Sequence, residues 1–219
     1  MLILLISFFV LLFLRVPVAI SLALSTVFVL FQIDFNMNMM PQRMFTALDS
    51  FPMMAIPGFV LAGIIMARGG ISRYLIEALR SWVGHLPGGL AVVTILACAI
   101  FAAISGSSPA TAAAIGSIMI PAMIAAGYDK RYTMGLVAAG GTLGILIPPS
   151  IPLIMYGITS ETSIGDLFMA GILPGLGLTG LLIVAAIFYA KRNGFKGDKP
   201  ATMAYKLKAK LKLKKFSQQ

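Results

Sequence analysis

The residues best equipped for chemistry in this sequence are hydroxyls and glycines set in an apolar background. Ser105-Gly106-Ser107-Ser108-Pro109 separates two apolar arms, Leu90 to Ile104 and Ala110 to Ala126. Ser105, Ser107, Ser108, Thr111 and, further on, Thr142 offer hydroxyl oxygens, while glycine and proline positions leave carbonyls without intrahelical partners. Hard oxygens without a carboxylate suit a monovalent cation such as sodium. Magnesium or calcium calls for Asp or Glu, and none occurs between Glu77 and Asp129. The second arm, beginning at Ala110, turns the positive end of its dipole toward the interruption, which favours a substrate carboxylate. Close packing of small residues accounts for Ala112 to Ala114, but not for Ser-Gly-Ser-Ser-Pro in the middle of an apolar stretch.

Other chemistries find no support. No histidine stands near a nucleophile and no carboxylates pair in the apolar runs, so an enzyme is not expected. A phosphate-binding G-x-x-x-x-G-K-[ST] loop is missing, so energy for uphill transport would come from an ion gradient; no cofactor is expected beyond a coupling ion. The single cysteine, Cys98, excludes an internal disulfide framework and reads as a packed small side chain. His85, beside Pro87 and Gly88, reads as an interfacial residue rather than a proton relay.

Two broken elements must hold these groups. Each arm is shorter than the roughly 20 residues a helix needs to cross hydrocarbon. Basic residues precede the first arm (Arg68, Arg73, Arg80) and follow the second (Lys130, Arg131). With positive charge marking the cytoplasmic side, Gly84 to Arg131 is expected to enter and leave on one face as a re-entrant helical hairpin, its polar tip near the membrane midplane. Irregular backbone at that depth is tolerated only where protein buries it or a cavity adjoins it. The second break follows at once. Gly140-Gly141-Thr142-Leu143-Gly144 loosens a helix starting at Tyr132, and Ile147-Pro148-Pro149-Ser150-Ile151-Pro152 removes three backbone donors within five residues.

Composition fits a membrane setting. Of 219 residues, 59% are hydrophobic and 11% charged, and the mean hydropathy is +0.96, far from a soluble domain. Repeated apolar runs of helical length favour an all-α multi-span bundle over a barrel. The formal charge of +10 suggests nucleic acid only until it is placed: 10 of the 17 Lys and Arg fall between Lys191 and Lys215. That basic tail fits cytoplasmic retention or anionic lipid headgroups, and no nucleic-acid partner is expected.

In order, Met1 to Leu14 and Val18 to Ile33 are apolar runs kept as membrane segments, and Asp34 to Ser50 reads as an outer loop. Phe51 to Ala67 returns the chain inward. Ile71 to Leu86, with Arg73, Glu77 and Arg80 at i, i+4 and i+7, reads as an amphipathic helix along the interface with Trp82 and His85 at headgroup level. After the breaks, Leu153 to Ile158 finishes a crossing, Glu161 to Asp166 is an acidic outer loop, and Leu167 to Ala190 spans back.

The chain resembles the large membrane (M) subunit of the tripartite ATP-independent periplasmic (TRAP) transporters, within the ion-transporter superfamily. The resemblance lies in R-V-P-V-A from Arg15, A-I-P-G-F-V-L-A-G from Ala55, G-H-L-P-G-G-L-A from Gly84, F-A-A-I-S-G-S-S-P-A-T-A-A-A-I-G from Phe101, L-G-I-L-I-P-P-S-I from Leu143 and S-I-G-D-L-F-M-A-G-I-L-P-G from Ser163. It runs from about Met1 to Lys215. It implies sodium-driven uptake of an organic acid, such as sialic acid or a C4-dicarboxylate, across the bacterial cytoplasmic membrane by an elevator-like movement. A small membrane Q subunit and a periplasmic binding protein are the implied partners.

By resemblance, Ser105, Gly106, Ser107, Gly141, Thr142, Gly144 and Pro148 would hold sodium. Ser108, Pro109, Ala110, Thr111, Pro149 and Ser150 would face the substrate. Residues 1–83 would be scaffold and arm helix, and 84–190 half a transport domain (hairpin 84–131, broken helix 132–160, helix 167–190). Residues 191–219 would be a basic tail or the start of an inter-repeat linker. The M subunit is built from two inverted repeats, and this sequence resembles the first. A fragment, a split subunit and a truncated copy all fit, and the chain alone is not expected to transport. A small pore or scaffold protein with merely packed helices is the competing reading.

Overall fold

The computed structural model describes residues 2–33, 35–49 and 51–195. Of the basic tail read over residues 191–219, the part beyond Phe195 lies outside the described residues. Every regular element among them is helical. The chain divides into two compact units, residues 1–50 and 51–219.

In the first unit, α1 (Leu2–Phe13) and α2 (Val18–Gln32) pack as a pair. The turn between them runs through Arg15 at φ 62 and Pro17 at the N-cap of α2. A third helix, α3 (Met39–Leu48), occupies most of the stretch from Asp34 to Ser50 that was expected to be loop. Its proline explains the correction: Pro41 is the third residue of the helix, within the first turn, where a missing N–H leaves no intrahelical bond unmade.

The second unit contains α4 (Phe51–Arg68), α5 (Ile71–Val83), α6 (Gly89–Ser105), α7 (Ser108–Ala125), α8 (Lys130–Gly141), α9 (Leu143–Leu146), α10 (Ile151–Thr159) and α11 (Ile164–Arg192). Its core is α6, which packs against α4, α5, α7, α8, α9 and α11. A helix apolar on every side must be covered on every side. Val93, Ile95, Ala97, Cys98 and Phe101 of α6 are all fully buried. The longest helix, α11, is apolar along most of its length but leaves Leu173, Leu181, Val184 and Phe188 largely exposed. That apolar exterior is what a lipid-facing surface requires.

Side-chain caps fix several helix starts. Asp129 accepts from the Tyr132 amide at 2.9 Å at the head of α8, and Ser163 accepts from the Asp166 amide at the head of α11. The second cap moves one expected boundary. α11 starts at Ile164, so Asp166 lies in its first turn, where an acid favours the dipole, rather than in an outer loop ending before Leu167. Three stretches among the described residues are long and apolar enough to cross a membrane: Ser108–Ala125, Lys130–Thr159 and Ile164–Arg192. α7 meets that criterion with its 18 residues, one more than the arm read from Ala110 to Ala126. It extends about 27 Å, still slightly under the hydrocarbon thickness of about 30 Å.

The two ends of the α6–α7 hairpin meet at one end of the second unit. A Cβ at Gly88, just before α6, would lie 2.5 Å from the Ala190 Cβ and 3.9 Å from the Tyr128 hydroxyl, just after α7. The same end is fastened by stacked rings: Tyr132 on Tyr189 (centroids 3.6 Å apart, planes 5° apart) and Tyr128 on Phe195 (4.1 Å, 4°). The start of α8 is therefore pinned to the end of α11, where Lys191 and Arg192 lie. His85 is exposed at this corner.

Candidate functional site

The interruption at residues 105–109 is the turn between α6 and α7. Gly106 ends α6 in the left-handed conformation (φ 59), which a side-chain-bearing residue adopts only with strain. Ser107 is extended, and α7 begins at Ser108 with Pro109 in its first turn. Ser105 and Thr111 are fully buried, and their hydroxyl oxygens lie 3.0 Å apart. The Thr111 hydroxyl donates to the Ser107 carbonyl at 2.8 Å, and the Ser105 hydroxyl lies 3.5 Å from that same carbonyl. Two hydroxyl oxygens and one carbonyl oxygen thus converge inside the hairpin tip.

The second break is docked onto the first. The Ile151 amide, in the first turn of α10, donates to the Gly106 carbonyl at 3.1 Å. A Cβ at Gly106 would stand 2.7 Å from the Pro149 carbonyl oxygen. One at Gly144 would stand 2.8–2.9 Å from the Ser107 carbonyl and the Ser108 nitrogen. Gly141 faces Ala112 of α7, where an added Cβ would meet its neighbour at 3.0 Å. The Pro148–Pro149 peptide bond is cis. Ser150, fully buried, donates to the Ile145 carbonyl at 2.6 Å and caps α10 through the Leu153 amide.

The structure therefore brings together most of the residues singled out from the sequence: Ser105, Gly106, Ser107, Ser108 and Thr111 from the tip, with Gly141, Gly144, Pro149 and Ser150 from the break. Thr142 is placed differently. Its side chain is exposed and donates to the Ala139 carbonyl of its own helix at 2.6 Å. Pro109 is also exposed, at the surface of the α7 start. Some carbonyls expected to be open already have partners. Gly106 O accepts from Ile151, and Ser107 O accepts from both the amide and the hydroxyl of Thr111. A carbonyl has two lone pairs, so the Gly106 oxygen, with one donor, keeps acceptor capacity, whereas the Ser107 oxygen, with two, is filled.

Three supporting glycines were not singled out from the sequence. Gly63 of α4 lies against Ser105, where an added Cβ would meet the serine Cβ at 3.1 Å. Gly171 and Gly175 of α11 lie against Leu146 and Ile147 at the break, with added Cβ contacts of 2.7 and 2.9 Å. Gly171 and Gly175 flank Pro174, and that combination in a long apolar helix is the signal that marks the place. α11 also serves as a ruler. At 1.5 Å per residue the break is level with a point about 22–28 Å from Ala190, where the hairpin begins, and about 10–16 Å from Ile164. Among the described residues no cluster of three His, Cys, Asp or Glu side chains could hold a metal ion. The oxygens at the tip are neutral, a donor set for a weakly charged cation.

Residues 5–214 match the family model of the tripartite ATP-independent periplasmic transporter, DctM component. Over 185 residues the chain is 49% identical to the isethionate TRAP transporter permease protein DctMQ of Oleidesulfovibrio alaskensis, covering 84% of this chain and 29% of that protein. It is 48% identical over 150 residues to the C4-dicarboxylate TRAP transporter large permease protein DctM of Pseudomonas aeruginosa, covering 68% and 35%. With the 2,3-diketo-L-gulonate TRAP transporter large permease protein YiaN of Escherichia coli it shares 41% identity over 188 residues, covering 85% and 44%. The chain spans less than half the length of each of these relatives. With a family match over nearly its whole length and several apolar helices of membrane-crossing length, the chain is a multi-span membrane protein that belongs to the DctM component family of tripartite ATP-independent periplasmic transporters.

Proposed function

We propose that this chain supplies one broken-helix pair of a sodium-coupled permease that takes up a small organic acid across the bacterial cytoplasmic membrane. The observation that carries the reading is the interlock of the two breaks, Ile151 N–H to Gly106 carbonyl with Gly144 seated on Ser107 and Ser108. A packed interior with two adjacent backbone breaks retains unusual polar groups at depth, which in a membrane points to an ion or substrate path. Sodium sits among the Ser105 and Thr111 hydroxyls and the carbonyl of Gly106, with Gly141, Gly144 and Pro148 shaping the cage from the other side; the sequence-predicted Thr142 points away from it. The substrate carboxylate meets the N-terminal turn of α7 at Ser108, Pro109 and Ala110, with Pro149 and Ser150 opposite.

The hairpin is re-entrant, since its ends share one level and its tip stops short of the far end of α11. It moves as a body against a scaffold in an elevator-like cycle. A small Q subunit and a periplasmic binding protein complete the system. Isethionate, a C4-dicarboxylate and 2,3-diketo-L-gulonate, named for the relatives, and the sialic acid implied by resemblance all carry an acidic group that such a site would bind.

The test is uptake of radiolabelled succinate into proteoliposomes holding this chain with the remaining repeat of a large permease, a Q subunit and a binding protein. An inward sodium gradient should drive accumulation, and Thr111→Val should cut it by about tenfold or more, equivalent to ~1.4 kcal/mol. Equal uptake with choline in place of sodium contradicts the proposal. Vesicles holding these 219 residues alone should accumulate nothing. One observation favours a second reading, a scaffold in which the breaks only pack: the Gly106 carbonyl already has a protein donor. Under that reading sodium makes no difference to the chain's stability.

A further inference from the structure

The three stretches of membrane-crossing length each have one terminus at the same corner of the second unit: α7 at Ala125, α8 at Lys130 and α11 at Arg192. That corner therefore stands at the level of lipid headgroups. Four exposed cations are gathered there in two pairs, Lys130 and Arg131 at the start of α8 and Lys191 and Arg192 in the last turn of α11. The pairs are far apart in the chain. What brings them together is the stack of Tyr132 on Tyr189, with centroids 3.6 Å apart, since each ring lies within three residues of its pair. One acid accompanies them, the exposed Asp129, and its carboxylate accepts from the Tyr132 amide at 2.9 Å. The acids Glu161 and Asp166 belong to the opposite end of α11, about 42 Å away at helical rise.

The stack itself carries a donor with nothing to bond. The Tyr132 hydroxyl is buried and has no hydrogen-bond partner among the described residues. Leaving such a donor unmet is costly, so the position calls for an acceptor. Lysine and arginine side chains only donate, so the corner's own cations cannot accept the tyrosine's O–H. A phosphate oxygen can, and it takes ammonium and guanidinium donors as well, the guanidinium bidentately. The rings make a firm base for such a contact. Tyr128 stacks on Phe195 beside the first pair, with Tyr128 to Tyr132 centroids 6.2 Å apart and Tyr189 to Phe195 centroids 6.5 Å apart. Tyrosine, apolar in its ring and polar at its tip, suits the membrane interface.

We infer that this corner binds an anionic phospholipid with two phosphates, of the diphosphatidylglycerol class. Lys130 and Arg131 hold one phosphate, Lys191 and Arg192 hold the other, and one of the two accepts from the Tyr132 hydroxyl. Basic pockets between transmembrane helices favour such headgroups. A lipid with a single phosphate, such as phosphatidylglycerol, engages one pair and leaves the second unused. The site is independent of the sodium and substrate reading of the tip. It also differs from a diffuse attraction between a basic tail and the membrane, because its two halves meet only when α8 is packed on α11. Bound there, the lipid joins the base of the hairpin to the end of α11 from outside, as the rings do from within.

The experiment titrates the full chain, in a neutral detergent, with cardiolipin and with phosphatidylglycerol, and reads lipid retention by native mass spectrometry. The wild type should hold cardiolipin at least about tenfold more tightly than phosphatidylglycerol. Lys191→Gln with Arg192→Gln should bring cardiolipin down to the affinity of phosphatidylglycerol, and adding Lys130→Gln and Arg131→Gln should lower it by about a hundredfold or more from the wild type. Tyr132→Phe should weaken cardiolipin by about fivefold. As a control of equal charge, Lys206, Lys208, Lys210 and Lys212 are all changed to Gln, and this variant should keep the wild-type preference. Inorganic phosphate should not displace the lipid. Equal affinity of the wild type for the two lipids, wild-type binding by the corner variants or by Tyr132→Phe, or a loss as large in the tail control overturns the proposal, and so does displacement by inorganic phosphate. An unchanged melting temperature without added lipid shows that the corner variants are folded; should the fourfold variant fail that check, the double variant at Lys191 and Arg192 decides.

Discussion

At the scale of single residues, the site turns on which hydroxyls face inward. Thr111 and Ser105 are buried and share the Ser107 carbonyl, whereas Thr142 is exposed and spends its hydroxyl on Ala139. Thr111→Val preserves shape but removes a donor from a closed group, so it should lower stability by about 1–3 kcal/mol. Thr142→Val should stay within about 0.5 kcal/mol, as surface changes do. Chemical or thermal unfolding of the two variants side by side measures the difference. Gly144 makes the second prediction. Its added Cβ would strike backbone atoms of Ser107 and Ser108, which cannot rotate away as a side-chain end can. Gly144→Ala should therefore destabilise by about 1–3 kcal/mol, the usual range for overpacking, and should abolish any sodium-dependent stabilisation.

The sequence made the tip and break legible because both carry local punctuation. Ser-Gly-Ser-Ser-Pro and three prolines within five residues cannot continue a helix, whatever surrounds them. It did not show which way Thr142 points, since a rotation of one residue around a helix decides that and neighbouring turns set it. Nor did it show Gly63, Gly171 and Gly175, whose importance comes from approaches made by distant segments.

At the scale of elements, the hairpin is held at both ends by different means. Its tip is held by α9 and α10 through glycine contacts and one backbone hydrogen bond. Its base is held by stacked rings between the start of α8 and the end of α11. These rings join residues more than fifty positions apart, so no periodicity could reveal them. Aromatic pairs contribute about 0.5–1.5 kcal/mol beyond burial. A double-mutant cycle with Tyr132→Leu and Tyr189→Leu should return a coupling energy in that range; a value near zero would mean that the rings merely adjoin. Asn36, Asn38 and Pro41 are turn formers and point to a loop where α3 stands. Proline at the third helical position is compatible with a helix, and the spacing of Met39, Met40, Met44 and Phe45 was the signal passed over.

At the scale of the whole molecule, broad class came easily from composition, because an apolar chain with its charge concentrated in one short stretch has few folded alternatives to a helical membrane bundle. Within the second unit the order of elements also fixes an arrangement of sides. The base of the hairpin and the end of α11 adjoin, so His85 and Lys191 should be modified from one side of the membrane and Glu161 from the other. Single cysteines at these three exposed positions, in a Cys98→Ala chain, give the answer with an impermeant maleimide applied to right-side-out and inverted vesicles. Labelling of His85→Cys and Glu161→Cys from the same side would contradict the arrangement. The relatives extend well beyond the length of this chain, and the proposed transport activity is a property of the complete assembly.

Whether the hairpin tip and the second break together make a sodium site can be measured on the chain itself. The melting temperature of the purified protein in nanodiscs is measured in sodium chloride and in choline chloride at equal ionic strength. A clear rise in sodium is expected for the wild type, a rise retained by Thr142→Val and lost by Thr111→Val. A wild-type chain that melts at the same temperature in both salts, or a Thr111→Val chain that keeps the full sodium response, would contradict the sodium site.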